Sequence, residues 1–235
     1  MPLYVHPAEA RRQFREFAAK PILRDDLARG ALLIALEEYP SLDAGRYLAE
    51  LDALATRVLQ RCTPGEPGIF VLGHLQAEMF DVDGFQGDRE HYYDVRNAYL
   101  NEVIDRKKGM PIMLSIIFLH LAHRVGLNAA GVGLPGHYIV KVQFELNEVY
   151  VDPFSHGETR TLQELDILLQ ELSGGQMRLE SEMLRGWTER GTLIRVLANL
   201  QNLHTRAGEP RKAVSARERM QELADAAPEG VEQVT

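Results

Sequence analysis

The residues that could do chemistry here are His137 and Asp152, together with whatever stands at the start of the helix that opens at Pro111. A strand is expected to begin at His137, directly after Pro135-Gly136, and a neighbouring strand to end at Asp152, directly before Pro153. A helix N-terminus concentrates free N–H groups and partial positive charge, so it lowers the pKa of a thiol placed there. A histidine on the adjacent strand can take or give the proton, and an aspartate on the next can fix the imidazole tautomer. That is the layout of a Cys–His–Asp site. The bland alternative is a strand-edge histidine that binds a carboxylate for structure, since a buried imidazole needs a partner in any case.

Other candidates are weaker. Ser115 lies one helical turn inward from Pro111 on the same face and is a candidate substitute nucleophile. Its hydroxyl is far less acidic than a thiol, and a helix serine more simply bonds back to a carbonyl. The single cysteine, Cys62, reads as a small hydrophobe at a helix end. Asp152 with His156, and His120 with His123, have no spacing as specific as His-Glu-x-x-His, so no metal and no cofactor is expected. The polar and aromatic run from Gly87 to Asn101 includes Tyr92, Tyr93, Asp94, Asn97 and Asn101. It is either a hydrogen-bonded loop wrapping the helix start or a ligand-binding wall of a cleft.

The elements that must position these residues follow from periodicity. Helices are expected over Pro7–Lys20, from Asp25-Asp26 to about Tyr39, and from Ser41 or Asp43 onward with Tyr47, Leu48, Leu51, Leu54, Ala55, Val58 and Leu59 as a stripe. Another covers Ile69–Phe80, a structured loop covers Asp81–Asn97, and a helix covers Ala98–Lys108, ending at Gly109. The Pro111 helix runs to Gly126, a C-terminal cap. The period then switches to two over Ala129–Leu134, His137–Phe144 and Glu148–Asp152, with Asn147 in a hairpin turn. Helices return at Thr161–Leu172 and Ser181–Arg190. A terminal pair follows, with Leu193, Val196, Leu197, Leu200 and Leu203 on one stripe and Ala213, Ala216, Met220, Leu223 and Ala224 on the other, and with fraying from Pro228. The class is α+β: a helical N-terminal region, a helix-plus-antiparallel-sheet core and a C-terminal helical hairpin, with boundaries at 1–80, 81–190 and 191–228.

Composition narrows the function classes. A net charge of −8, with 34 acidic against 26 basic residues, gives no electrostatic case for nucleic acid, and Arg106-Lys107-Lys108 is too short to change that. The apolar run Ile112–Leu119 is too short for a membrane span. Residues Met1–Lys20 lack the pattern of a signal peptide, and one cysteine excludes an internal disulfide. A cytoplasmic location, with no membrane partner, is the expectation.

Several runs resemble the transglutaminase-like superfamily, in which Gly-x-Cys opens the helix, a His-led strand follows and a strand ends in Asp-Pro. Here the runs are Gly109-Met110-Pro111, Val125-Gly126-Leu127, His137-Tyr138-Ile139-Val140 and Val151-Asp152-Pro153. A closer resemblance, over nearly the whole chain, is to the SirB family, which joins such a core to tetratricopeptide-type repeats. It rests on Ala35-Leu36-Glu37-Glu38-Tyr39-Pro40, Tyr92-Tyr93-Asp94, Tyr99-Leu100-Asn101-Glu102-Val103, Lys108-Gly109-Met110-Pro111-Ile112 and Gly131-Val132-Gly133-Leu134-Pro135-Gly136-His137. Val95 stands where that family shows proline. The resemblance implies that Pro111 occupies the nucleophile's place, as a family trait, and that His137 and Asp152 are a vestigial dyad. It also implies that the C-terminal pair is one tetratricopeptide-like unit packed on the core. Two functions follow. One is a non-catalytic binding or scaffold module for a protein or peptide partner, favoured because His–Asp without a nucleophile cannot run covalent acyl transfer. The other is a hydrolase or transferase of altered mechanism using His137 and Asp152.

Overall fold

The computed structural model describes residues 4–226. Its first layer is helical. Helix α1 (Pro7–Ala18) turns Ala10, Phe14 and Ala18 inward, and a 3-10 turn at Arg24–Asp26 leads into α2 (Leu27–Leu36), which is buried almost all round. Asp43 caps α3 (Ala44–Arg61) by accepting the Arg46 N–H at 3.1 Å, and Tyr47, Leu51, Leu54, Ala55 and Val58 face the core. Leu59, expected on that stripe, is rotated past its edge and exposed. Helix α4 (Gly68–Gln76) passes into a π-helical turn, Ala77–Val82.

The loop that follows contains a strand the sequence pattern does not reveal. β1 (Gln86–Gly87) precedes α5 (Leu100–Arg106) and pairs in parallel with β2 (Lys108–Gly109). The expected end of α5 at Gly109 is corrected: Lys107 takes the left-handed cap conformation (φ 58°) so that the next two residues can pair with β1.

Helix α6 (Pro111–Arg124) is the axis of the molecule, buried from Pro111 to Ala122. Against it lies an antiparallel meander of β3 (Asn128–Leu134), β4 (His137–Gln143), β5 (Glu148–Asp152) and β6 (Glu158–Arg160). Tyr138, Val140, Val142 and Val151 belong to the main core with α6. On the other sheet face Val132, Ile139 and Tyr150 meet Leu165 of α7 (Leu162–Ser173). The β3 glycines serve close packing: a Cβ on Gly131 would lie 2.2 Å from the Tyr138 hydroxyl.

The expected helix over Ser181–Arg190 is corrected to a short 3-10 turn, Ser181–Leu184, followed by extended chain. The backbone there is claimed by the sheet, for the Trp187 N–H donates to the Gly131 carbonyl at 2.8 Å. Helices α8 (Glu189–Arg206) and α9 (Pro210–Asp225) form the terminal pair. The α8 stripe joins the main core, and Thr192 binds the buried Tyr138 hydroxyl at 2.7 Å. On α9, Ala213, Ala216 and Leu223 are buried, but Ala224 is exposed and Arg219 is buried in its stead, donating to the Ile34 carbonyl at 2.7 Å. The fraying expected from Pro228 lies outside the described residues. The class is α+β, and no described helix is long and apolar enough to cross a membrane.

Candidate functional site

The site forms where β4 begins and β5 ends. Leu134 pairs with His137, so Pro135-Gly136 is a two-residue hairpin turn, and Gly136 supplies the positive φ (75°) that this turn needs. The turn fixes His137 as the first residue of β4. Asp152 closes β5 and caps the 3-10 turn Pro153–Ser155: its Oδ1 accepts the Phe154 and Ser155 N–H groups at 3.1 and 3.3 Å. The same Oδ1 lies 3.0 Å from His137 Nε2.

Both side chains are buried, Asp152 almost completely. Burial pushes the Asp152 carboxyl up, but the His137 hydrogen bond and charge and the Ser155 hydrogen bonds outweigh it, and the net shift is below the usual carboxylate value. An ionised carboxylate cannot donate, so the shared proton sits on His137 Nε2, and in the neutral ring the lone pair is then on Nδ1. No described residue hydrogen-bonds to Nδ1, while His137 lines a cleft of about 460 Å³. The ring is steadied edge-on by Phe154, with centroids 6.0 Å apart. Asp152 Oδ2 is buried with no hydrogen bond, its nearest cation being Arg160 Nη2 at 3.8 Å.

Pro111 and Ile112 bring the start of α6 into the same cleft as His137. Ser115 is elsewhere: it is fully buried, and its hydroxyl is 3.4 Å from the Tyr138 carbonyl. Of the loop residues, Tyr92 and Tyr93 line the cleft. Asp94, Asn97 and Asn101 do not. Asp94 pairs with Arg96 at 2.6 Å, and Asn97 donates to the His91 carbonyl at 2.8 Å while accepting from Arg106. Asn101 is buried in α5 with its Oδ1 unpaired. The other histidines are engaged separately: His120 with Asp52 at 2.9 Å, His123 with the Ala129 carbonyl at 2.9 Å, and His156 with Asp81 at 3.1 Å. Cys62 is remote, and burial raises its thiol pKa. Among the described residues, no three His, Cys, Asp or Glu side chains cluster as metal ligands would.

The far wall of the cleft was not foreseen. It is α8, through Arg195, Asn199, Asn202, Leu203, Thr205 and Arg206. The available signal was a second, polar stripe at three- and four-residue steps along that helix.

Comparisons with known proteins give the family. Residues 45–198 match the family described as the Transglutaminase-like superfamily. The UPF0162 protein of Xylella fastidiosa (strain 9a5c) is 31% identical over 208 residues, covering 86% of this chain and 73% of that one. The chain is a transglutaminase-like protein of the UPF0162 family. A second UPF0162 protein, from Pseudomonas aeruginosa, is 28% identical over 84% of this chain and 72% of its own. Human F-box only protein 21 is 27% identical over 107 residues, 42% of this chain and 17% of its own. No solved structure matches. In this transglutaminase-like chain the matched region holds α6, the sheet and the first half of α8; of the α8 wall it includes Arg195 and ends just before Asn199.

Proposed function

We propose that this UPF0162 protein is a non-catalytic binding module of the transglutaminase-like fold, and that its cleft receives a segment of a protein or peptide partner. The observation that carries the reading is Pro111. It lines the cleft with His137 at the start of α6, the place where a Gly-x-Cys family keeps its thiol. Proline offers no nucleophile and no N–H, and Ser115 is turned into the core. The chain is further read as a SirB-type protein whose α8–α9 pair is a single tetratricopeptide-like unit, with parts at 1–80, 81–190 and 191–228. Support for using the hairpin in recognition comes from α8, which supplies one wall of the cleft.

A second reading has its own observation. Asp152 orients His137, which lines the cleft and has no described partner on Nδ1, and a base so held can activate water. The discriminating experiment compares wild type and His137→Ala against acyl, amide and ester substrates. Absence of turnover in both supports the binding module. Wild-type turnover that disappears in the variant establishes the hydrolase instead. A pull-down from native lysate that returns no specific partner counts against the binding module.

A further inference from the structure

The cleft is electrostatically one-sided. Arg195 and Arg206 line it, and no aspartate or glutamate does among the described residues, although the chain as a whole carries −8. Arg195 is half-buried and donates through Nη2 to the Leu134 carbonyl at 3.0 Å, a dipole rather than a counter-ion. Burial lowers its pKa, opposed only by the Tyr138 and Tyr92 phenols and by no carboxylate. A guanidinium held partly out of water without an anion is costly, and an arriving carboxylate relieves that cost. Arg206 sits over the Tyr93 ring, 4.2 Å from its centroid, and pairs with no described carboxylate. The start of α6 adds partial positive charge to the same cleft.

Spacing selects the shape of the ligand. At about 1.5 Å per residue along α8, the Cα atoms of the two arginines lie roughly 16 Å apart. Each guanidinium is already steered by its own contact, Leu134 for one and Tyr93 for the other, so the pair does not converge on one small anion. An extended chain rises about 3.3 Å per residue, so about five residues bridge that distance. Between the arginines, the Asn199 and Asn202 carboxamides offer the donors and acceptors that peptide backbone requires. Asn199 is held only by a weak 3.8 Å contact to Met110 Sδ.

Resting on the binding-module reading, we propose that the cleft takes an extended peptide segment of about five residues with a carboxylate near each end, one paired with Arg195 and the other with Arg206. The second carboxylate can come from a side chain or from a chain terminus.

The test is fluorescence polarisation with the whole protein and three labelled, alanine-based pentapeptides. One is end-blocked with glutamate at both ends, one is its glutamine counterpart, and one replaces the last glutamate by a free C-terminal carboxylate. The glutamate peptide should bind at least tenfold tighter than the glutamine peptide. Arg195→Gln and Arg206→Gln should each lose at least fivefold without a fall in melting temperature. Arg206→Glu, which guards against a fold defect at Arg195, should instead prefer a peptide whose far end is lysine. Tighter binding of the free-terminus or of the blocked peptide assigns the source of the second carboxylate and supports the inference either way. Equal binding of glutamate and glutamine peptides, or unchanged affinity in both arginine variants, overturns the inference. If Asn202→Trp, at an exposed position of the cleft wall, still blocks that charge-independent binding, the binding-module reading stands without it. Failure of the glutamate peptide to bind also overturns the inference. Hydrolysis of any of the peptides overturns the binding-module reading itself.

Discussion

His137 and His204 are both buried, and both contact a carboxylate, Asp152 at 3.0 Å and Glu209 at 2.7 Å. They differ in the second ring nitrogen. His204 Nε2 meets the buried Tyr99 hydroxyl at 2.8 Å, so its hydrogen-bonding capacity is spent inside the fold. His137 lines the cleft and has no described partner on Nδ1. The carboxylates differ too, since Asp152 is shut in and caps a turn, whereas Glu209 is partly open to water beside Lys212. A histidine–carboxylate distance therefore says little about function, and what separates a site from a strut is the nitrogen left over.

That contrast can be broken by experiment. The largest expected effect is Asp152→Ala, which removes the His137 partner and two backbone caps at once and should cost about 3–4 kcal/mol in urea unfolding. His204→Ala strands the Tyr99 hydroxyl and should cost about 2–3 kcal/mol while leaving cleft binding intact. His137→Ala should cost less, about 1 kcal/mol, because Asp152 Oδ1 keeps the Phe154 and Ser155 N–H groups, yet should change ligand affinity. If His137→Ala proves as destabilising as His204→Ala and leaves binding unchanged, the distinction fails. Acid titration sharpens it. The Asp152 carboxyl is lowered in the folded state, so its contribution is complete above the unfolded value, about 3.9, and is lost as pH falls through the lower folded value. The stability gap between wild type and Asp152→Asn should accordingly shrink below about pH 4. The smallest effect is Pro111→Cys, expected to cost under about 1 kcal/mol and to give a thiol that iodoacetamide alkylates faster than Cys62 at mildly acid pH.

Much of this was readable in the sequence for definite reasons. The long helices announce themselves by apolar steps, as in Leu193, Val196, Leu197 and Leu200, and the β3–β4 turn by Pro135-Gly136. His137 and Asp152 were legible because each abuts a proline- or glycine-marked boundary. The two-residue strands β1 and β2 were not, since so short a stretch has no period. Nor was Arg219, whose burial depends on the Ile34 carbonyl 185 residues away. The Arg195–Arg206 wall was missed for the same kind of reason: a polar stripe looks like a solvated face until the fold sets a helix N-terminus across from it.

The Thr192 hydroxyl that binds Tyr138 ties the cleft wall to the sheet, and the apolar stripe of the same helix lies in the main core. Cleft and core are therefore expected to unfold together, which makes occupancy a thermodynamic load on the whole chain. A ligand present at a hundred times its dissociation constant should add about 2.7 kcal/mol to global unfolding. Screening compounds by the protein's own melting should therefore report on the cleft.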